Sequence, residues 1–185
     1  PGGLRNLIRA RSGNLYAAQG MWGGAIYKYD EAGDTWKAIF SEGAKDGSGG
    51  TNGKGANDLA IDATNENNIL VADLYGGRLM LSKDGGATWA ANKDPQGRDI
   101  CAQSVYIDPI RPNVMLCCAH NIHGGAGGIL RSLDGGATWT AFHQDDSPGF
   151  VEGFTYGGVP GRVYAWLMFP VSDWMYDLYA GAATR

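Results

Sequence analysis

The sequence predicts an all-β chain organised as a β-propeller, and three observations carry that prediction. A ten-residue phrase, LSKDGGATWA at 81–90, returns as RSLDGGATWT at 131–140, and a worn copy, YKYDEAGDTWKA, stands upstream at 27–38. Trp36, Trp89 and Trp139 within these phrases fall 53 and 50 residues apart, a period that fits one four-stranded antiparallel blade per repeat. The chain also holds 30 glycines and six tryptophans, with few runs of helix formers, which calls for short strands joined by tight turns.

Each blade can be traced in order. In blade 1, about 4–40, Leu4–Arg11 is the innermost strand, a turn at 12–14 leads into Leu15–Ala18, and Ala25–Tyr29 and Trp36–Phe40 complete the sheet. Residues 41–57, SEGAKDGSGGTNGKGAN, read as a loop. Gly53-Lys54 is followed by Gly55 where a phosphate-binding loop needs Ser or Thr, so no nucleotide and no other cofactor is expected. Blade 2, about 57–95, runs through DLAIDA, NILVADL, GRLMLSKD and TWAANKD, and blade 3, about 101–145, through AQSVYIDP, NVMLCCAH, GILRSLD and TWTAFHQD. Their second strands are apolar on both faces, as strands between stacked sheets must be. Blade 4, about 150–185, reads as incomplete: where its outer strand belongs the chain offers only GAATR.

About 3.7 blades follow from the period, whereas rings of four to eight close. Three arrangements satisfy this count: a piece of a larger, six- to eight-bladed ring, a half-ring closed by another copy, or a distorted four-bladed ring. The expected partner is thus the remainder of the propeller or another subunit. Of the 185 residues, 44% are hydrophobic and 18% charged, enough for a packed core. A net charge of −4 with scattered lysines and arginines gives no field for nucleic acid. The longest apolar run, Val163–Phe169, is too short to cross a bilayer, and no membrane partner is expected. Cys101, Cys117 and Cys118 fall on two segments read as paired strands, with Cys101 opposite Cys117 or Cys118. They form either a cross-strand disulfide or buried thiols.

The repeated phrase has the chemistry of a turn. Asp84 and Asp134 can accept hydrogen bonds from the turn's backbone, Ser82, Thr88, Ser132 and Thr138 do so more weakly, and Gly86 and Gly136 supply positive φ. Trp89 and Trp139 can bury their rings between neighbouring sheets while the indole N–H finds a partner. Asp30, Thr35 and Trp36 hold the same places in the worn copy. A role for these residues as catalytic acids or calcium ligands conflicts with their recurrence from blade to blade and with the shortage of carboxylates.

The phrase S-x-D-x-G-x-T-W resembles the Asp-box, or BNR repeat, of sialidases, sortilin-type receptors, photosystem assembly factors and glycoside hydrolase family 74. Longer stretches, GNLYAAQGMWGGAIYKYDEAGDTW with NDLAIDATNENNILVADL and SVYIDPIRPNVMLCC with GGILRSLDGGATW, are most similar to interior blades of family 74, over about residues 12–140. That resemblance implies a secreted, extracellular, inverting glycoside hydrolase acting on β-glucan such as xyloglucan, in a cleft between two seven-bladed propellers. The motif around that family's two catalytic aspartates is absent from these residues, so no catalytic residue is carried over. The alternative is a non-catalytic extracellular propeller that binds protein or builds an assembly.

In a propeller the repeated turns lie on one face and ligands meet the other. The loops of that other face are 19–24, 41–58, 73–78, 92–99, 120–127, 143–150 and 170–173. Saccharides are held by flat aromatic rings flanked by carboxylates and amides. Trp22 and Tyr75 are the expected platforms, with Asp73, Asn121, His123, Asp173 and Trp174 as further contacts to a poly- or oligosaccharide. Inverting hydrolysis needs two carboxyls about 6.5 to 9.5 Å apart. Asp58, Asp99 and Glu152, which read as the starts of innermost strands, are the acids to test. His120 and His123 form H-x-x-H, but a zinc site needs a third ligand from another blade, and no metal is predicted.

Overall fold

The structure is a computed structural model that describes residues 3–20, 24–41, 44–45, 51–52, 55–74, 76–119, 128–143, 151–167, 172–177 and 182–184. Its first sheet is a meander of β1 (Leu4–Arg9), β2 (Leu15–Gln19), β3 (Ile26–Asp30) and β4 (Thr35–Phe40). The glycine-rich segment read as a loop carries a two-stranded ladder, β5 (Ala44–Lys45) with β6 (Thr51–Asn52). The second sheet holds β7 (Ala56–Ile61), β8 (Ile69–Asp73), β9 (Arg78–Ser82) and β10 (Ala90–Ala91). The third holds β11 (Ala102–Ile107), β12 (Met115–Ala119), β13 (Gly128–Ser132) and β14 (Thr140–His143). The fourth is β15 (Val151–Tyr156), β16 (Arg162–Leu167), β17 (Ser172–Asp177) and β18 (Ala182–Thr184).

All four large sheets are antiparallel meanders, and the described residues contain no helix. The fourth sheet corrects the expected missing strand. GAATR has no apolar alternation to announce a strand, yet Ala182–Thr184 pairs with Met175–Asp177 through backbone groups alone, which any sequence without proline can supply.

Three apolar cores lie between successive sheets, as stacked blades require. Tyr16, Ile26 and Phe40 of the first sheet meet Leu59, Val71 and Met80 of the second. Leu70, Leu79 and Leu81 of the second meet Val105, Cys117 and Leu130 of the third. Leu116 and Ile129 of the third meet Val163 and Ala165 of the fourth. The middle strands β8 and β12 are buried at every residue because each has a sheet on both sides.

The repeated turn fastens one sheet to the next. Asp84 accepts from Thr88 N at 2.8 Å and Thr88 Oγ1 at 2.6 Å, and Ser82 Oγ accepts from Gly86 N at 2.8 Å. The same set recurs within 0.1 Å at Asp134, Thr138, Ser132 and Gly136. Trp89 then donates Nε1–H to Ile39 O at 3.0 Å and stands edge-on to Phe40, both of the preceding sheet, while Trp139 donates to Asn92 Oδ1 at 3.1 Å. Gly86 and Gly136 have φ of 94° and 87°, and a Cβ there would stand 3.0 Å from Ile39 Cβ and 2.8 Å from Leu81 Cδ2. Glycine is therefore required twice over, by conformation and by the neighbouring sheet. In the worn copy Asp30 pairs instead with Lys37, and Trp36 is exposed against Tyr29.

All three cysteines are buried free thiols, so the disulfide alternative falls. A bulge in β11 between Ala102 and Ser104 shifts the register, placing Ser104 opposite Cys118 and Val105 opposite Cys117. Cys101 lies before the strand, where its Sγ–H donates to Leu74 O at 3.4 Å. Burial, with the charge of Asp73, pushes the Cys101 thiol up to about 11, and burial also raises Cys117.

Candidate functional site

The innermost strands β1, β7, β11 and β15 adjoin one another, and each carries a bulge at the same place in its register. The strands read LRNLIR, ANDLAI, AQSVYI and VEGFTY, with polar or small residues at the second and third positions of each. A bulge there breaks the strict alternation of faces at these residues. That recurring interruption is the signal through which the sequence could have revealed the axial polar ring.

Asp58 is the centre of that ring. Its Oδ1 accepts from Asn6 Nδ2 at 2.8 Å and from Leu59 N at 2.9 Å, and its Oδ2 accepts from Val105 N at 3.1 Å. One carboxyl thus ties the first, second and third sheets together. Asn57 adds a second tie, donating Nδ2–H to Gln103 O at 2.8 Å. Burial pushes the Asp58 carboxyl up to about 6, against the opposing effects of Asn6, the two backbone donors and the Arg5 charge.

Beside Asp58 lies a cavity of about 370 Å³, lined among others by Arg5, Asn6, Tyr106, Phe154 and Trp166. Among its described lining residues Asp58 is the one carboxylic acid. The arrangement can accept hydroxyl hydrogen bonds and, at mildly acidic pH, can donate one from a protonated carboxyl. A two-carboxyl hydrolytic pair is not assembled by these residues.

The other sequence candidates sit as follows. Asp99 lies ahead of β11 in an exposed ion pair with Lys93 at 2.6 Å. It does not start the innermost strand, because Lys93 and Asp99 bridge the chain after β10. Asp73 ends β8 fully buried; its carboxylate accepts from Arg78 Nη2 at 2.8 Å and Gly76 N at 2.9 Å. A Cβ on Gly76 would fall 2.0 Å from Asp73 Oδ2, so a larger residue there would have to displace the Asp73 carboxylate. Glu152 is in β15, and Asp173 and Trp174 are paired within β17, with side chains outside the described set. Trp22, Tyr75, His120, Asn121 and His123 lie outside the described residues. Among the described residues no group of three or more His, Cys, Asp or Glu could hold a metal, and no helix is long and apolar enough to cross a membrane.

Meandering four-stranded sheets stacked face to face, with adjoining innermost strands, define a β-propeller. Solved structures of several propellers share this fold. The chain matches a glycoside hydrolase family 74 enzyme of Niastella koreensis over 99% of its length at 20% identity and TM-score 0.69, spanning 29% of that enzyme. It matches the family 74 xyloglucanase of Xanthomonas campestris over 99% at 17% identity and TM-score 0.69, spanning 30%. It also matches YCF48 bound to D1 peptide over 95% at 13% identity and TM-score 0.61, spanning 50%. At these identities the likeness is one of fold: the chain has the blade architecture of family 74 and other propellers. No protein-family model and no curated protein matches its sequence.

Proposed function

We propose that these sheets are blades of an extracellular, carbohydrate-active propeller that binds β-glucan chains of the xyloglucan type. The observation that carries this reading is the axial cavity, which gathers a carboxyl (Asp58), an amide (Asn6) and a guanidinium (Arg5) beside the rings of Tyr106 and Phe154. Saccharide recognition needs that combination, with polar groups for hydroxyls and flat apolar faces for C–H groups. The family 74 likeness supports the substrate class, since one matched structure is a xyloglucanase. Trp22, Tyr75, Asn121, His123, Asp173 and Trp174 belong to the same proposal as contacts around the loop face, while Asp73 contributes by holding the 73–78 turn. Hydrolysis would require a second carboxyl facing Asp58.

Titration calorimetry with xyloglucan oligosaccharides, joined to a reducing-sugar assay on xyloglucan and mixed β-glucan, tests the reading. Arg5 lines the cavity, so Arg5→Ala should weaken binding about tenfold. Absence of glucan binding by the unaltered chain would overturn it. A second reading, a non-catalytic propeller that binds protein, is favoured by the commitment of Asp58 to three bonds between strands. Peptide binding without glucan binding would select that alternative.

A further inference from the structure

Eight large apolar side chains are exposed among the described residues, and they fall into two groups. Leu4, Leu7, Trp36, Tyr164 and Trp166 belong to the first and fourth sheets. The inner sheets bury the matching positions against a neighbour: Leu59 and Val105 stand where Leu7 does, and Leu70 and Leu116 where Tyr164 does. Exposure in this group reflects a place at the end of a stack. The second group, Ile110, Leu133 and Val159, is 55%, 53% and 40% exposed. All three stand at turns on the face of the repeated phrase, which a blade added beside the sheet does not cover.

Backbone bonds fix how these turns correspond. Asp108 N donates to Val114 O as Asp62 N does to Asn68 O and Gly157 N to Arg162 O, the last turn being one residue shorter. Two residues beyond the first member of each pair stand Thr64, Ile110 and Val159, in successive blades. In the repeated phrase Leu133 takes the place of Lys83. Asn113 joins the two turns of the third blade, donating Nδ2–H to Leu133 O at 2.7 Å while its own carbonyl accepts from Gly135 N at 2.9 Å. The third and fourth blades therefore carry aliphatic tips at one level of the face, where the second blade has threonine and lysine.

Each tip has a cation beside it. Arg111 follows Ile110 and is exposed. Lys83 reaches the turn of Leu133, donating from Nζ to Gly135 O at 2.8 Å. Arg162 N donates to Val159 O at 3.1 Å, and a Cβ on Gly157 would stand 2.5 Å from Arg162 Cγ, so this side chain lies along the same turn. The carboxylate of Asp134 is held inside its own turn by Thr138. On a chain of net charge −4 this is a basic, aliphatic patch. A bound peptide needs a groove or a free strand edge, whereas level aliphatic tips with flanking cations suit a flat anionic surface.

We propose that Ile110, Leu133 and Val159 seat the protein on an anionic phospholipid bilayer, the aliphatic tips entering the headgroup layer and Lys83, Arg111 and Arg162 meeting lipid phosphates. The expectation of no membrane partner rests on the lack of a spanning segment, which peripheral contact does not require. The patch lies on the face away from the loops proposed for glucan, and it stands or falls apart from that reading.

Co-sedimentation of the purified protein with vesicles of phosphatidylcholine mixed with phosphatidylglycerol, and with vesicles of phosphatidylcholine alone, reads the outcome. Binding to the mixed vesicles is expected, about tenfold weaker on the neutral ones and weaker again at high salt. The double variant Ile110→Thr with Leu133→Gln leaves every charge in place and changes exposed positions, so the melting temperature should hold while binding falls about tenfold. Arg111→Gln should weaken binding to the mixed vesicles about fivefold and leave the neutral ones unaffected. No binding by the unaltered protein, equal binding to both compositions, or full binding by the double variant would each overturn the proposal.

Discussion

Asp58 and the aspartates of the repeated turns respond to pH in opposite directions, because desolvation dominates at the half-buried Asp58 whereas hydrogen bonds from the turn dominate at the others. Burial raises the Asp58 carboxyl from 3.8 to about 6, so across that window the folded chain binds the proton more tightly than the unfolded chain. Stability must then fall as pH rises through the window, by about 3 kcal/mol in all. Asp84 and Asp134 are held below their ordinary value by hydrogen bonds from Thr88 and Thr138. Their contribution is present above the unfolded value of 3.8 and is lost as pH falls below it. Urea midpoints across this range should peak near about pH 4, and Asp58→Asn should flatten the decline on the alkaline side. A midpoint that rises steadily from pH 4 to 7 would contradict the burial of this carboxyl. Asp84→Ala should cost about 1 kcal/mol without altering glucan affinity, since its bonds stay within its own turn. Loss of binding at unchanged stability would give Asp84 a ligand role instead.

The repeated turn acts as a clip between blades, and its parts can be tested singly. Gly136→Ala places a Cβ 2.8 Å from Leu81 Cδ2 at a φ of 87°, so both strain and overlap oppose it. A loss of about 1–3 kcal/mol is expected from chemical denaturation. Gly158 has φ 78° with no atom near a Cβ, so its alanine variant isolates the conformational part and should cost less. Equal losses would mean that the neighbouring sheet does not press on the turn. Trp139→Phe removes the bond to Asn92 Oδ1 and part of a buried ring, and it should cost more than Trp36→Phe, whose ring lies exposed. Glu66 makes a parallel fastening on the turn between β7 and β8, accepting from Ser12 N, Asn14 Nδ2 and Tyr16 Oη of the first sheet. Nothing in ATNENN singles out that glutamate over its neighbours.

Stacked repeats make stability a sum of blade terms and nearest-neighbour terms. The second and third sheets are covered on both sides, whereas the first and fourth each leave one face in water. Native-state hydrogen exchange of the 185-residue chain should therefore find the slowest amides in β8 and β12 and faster exchange in β1 and β16. Uniform protection would indicate a single cooperative unit.

The local phrase, its spacing and the alternation of its strands were sufficient for the architecture, since blade formation depends on turn chemistry and apolar period, both written in consecutive residues. LSKDGGATWA announces a hairpin, and NILVADL announces a strand covered on both faces. What required the folded chain were the long-range meetings. Asp58 takes its partners from Asn6, 52 residues earlier, and Val105, 47 residues later, and only bulges that recur across sheets bring them to one axis. The strand at Ala182–Thr184 exists because β17 offers it backbone partners, not because GAATR asks for one. Leu4, Leu7 and Tyr164 look like core residues in sequence. Their exposure follows from position, because a sheet at either end of a stack has a neighbour on one side only.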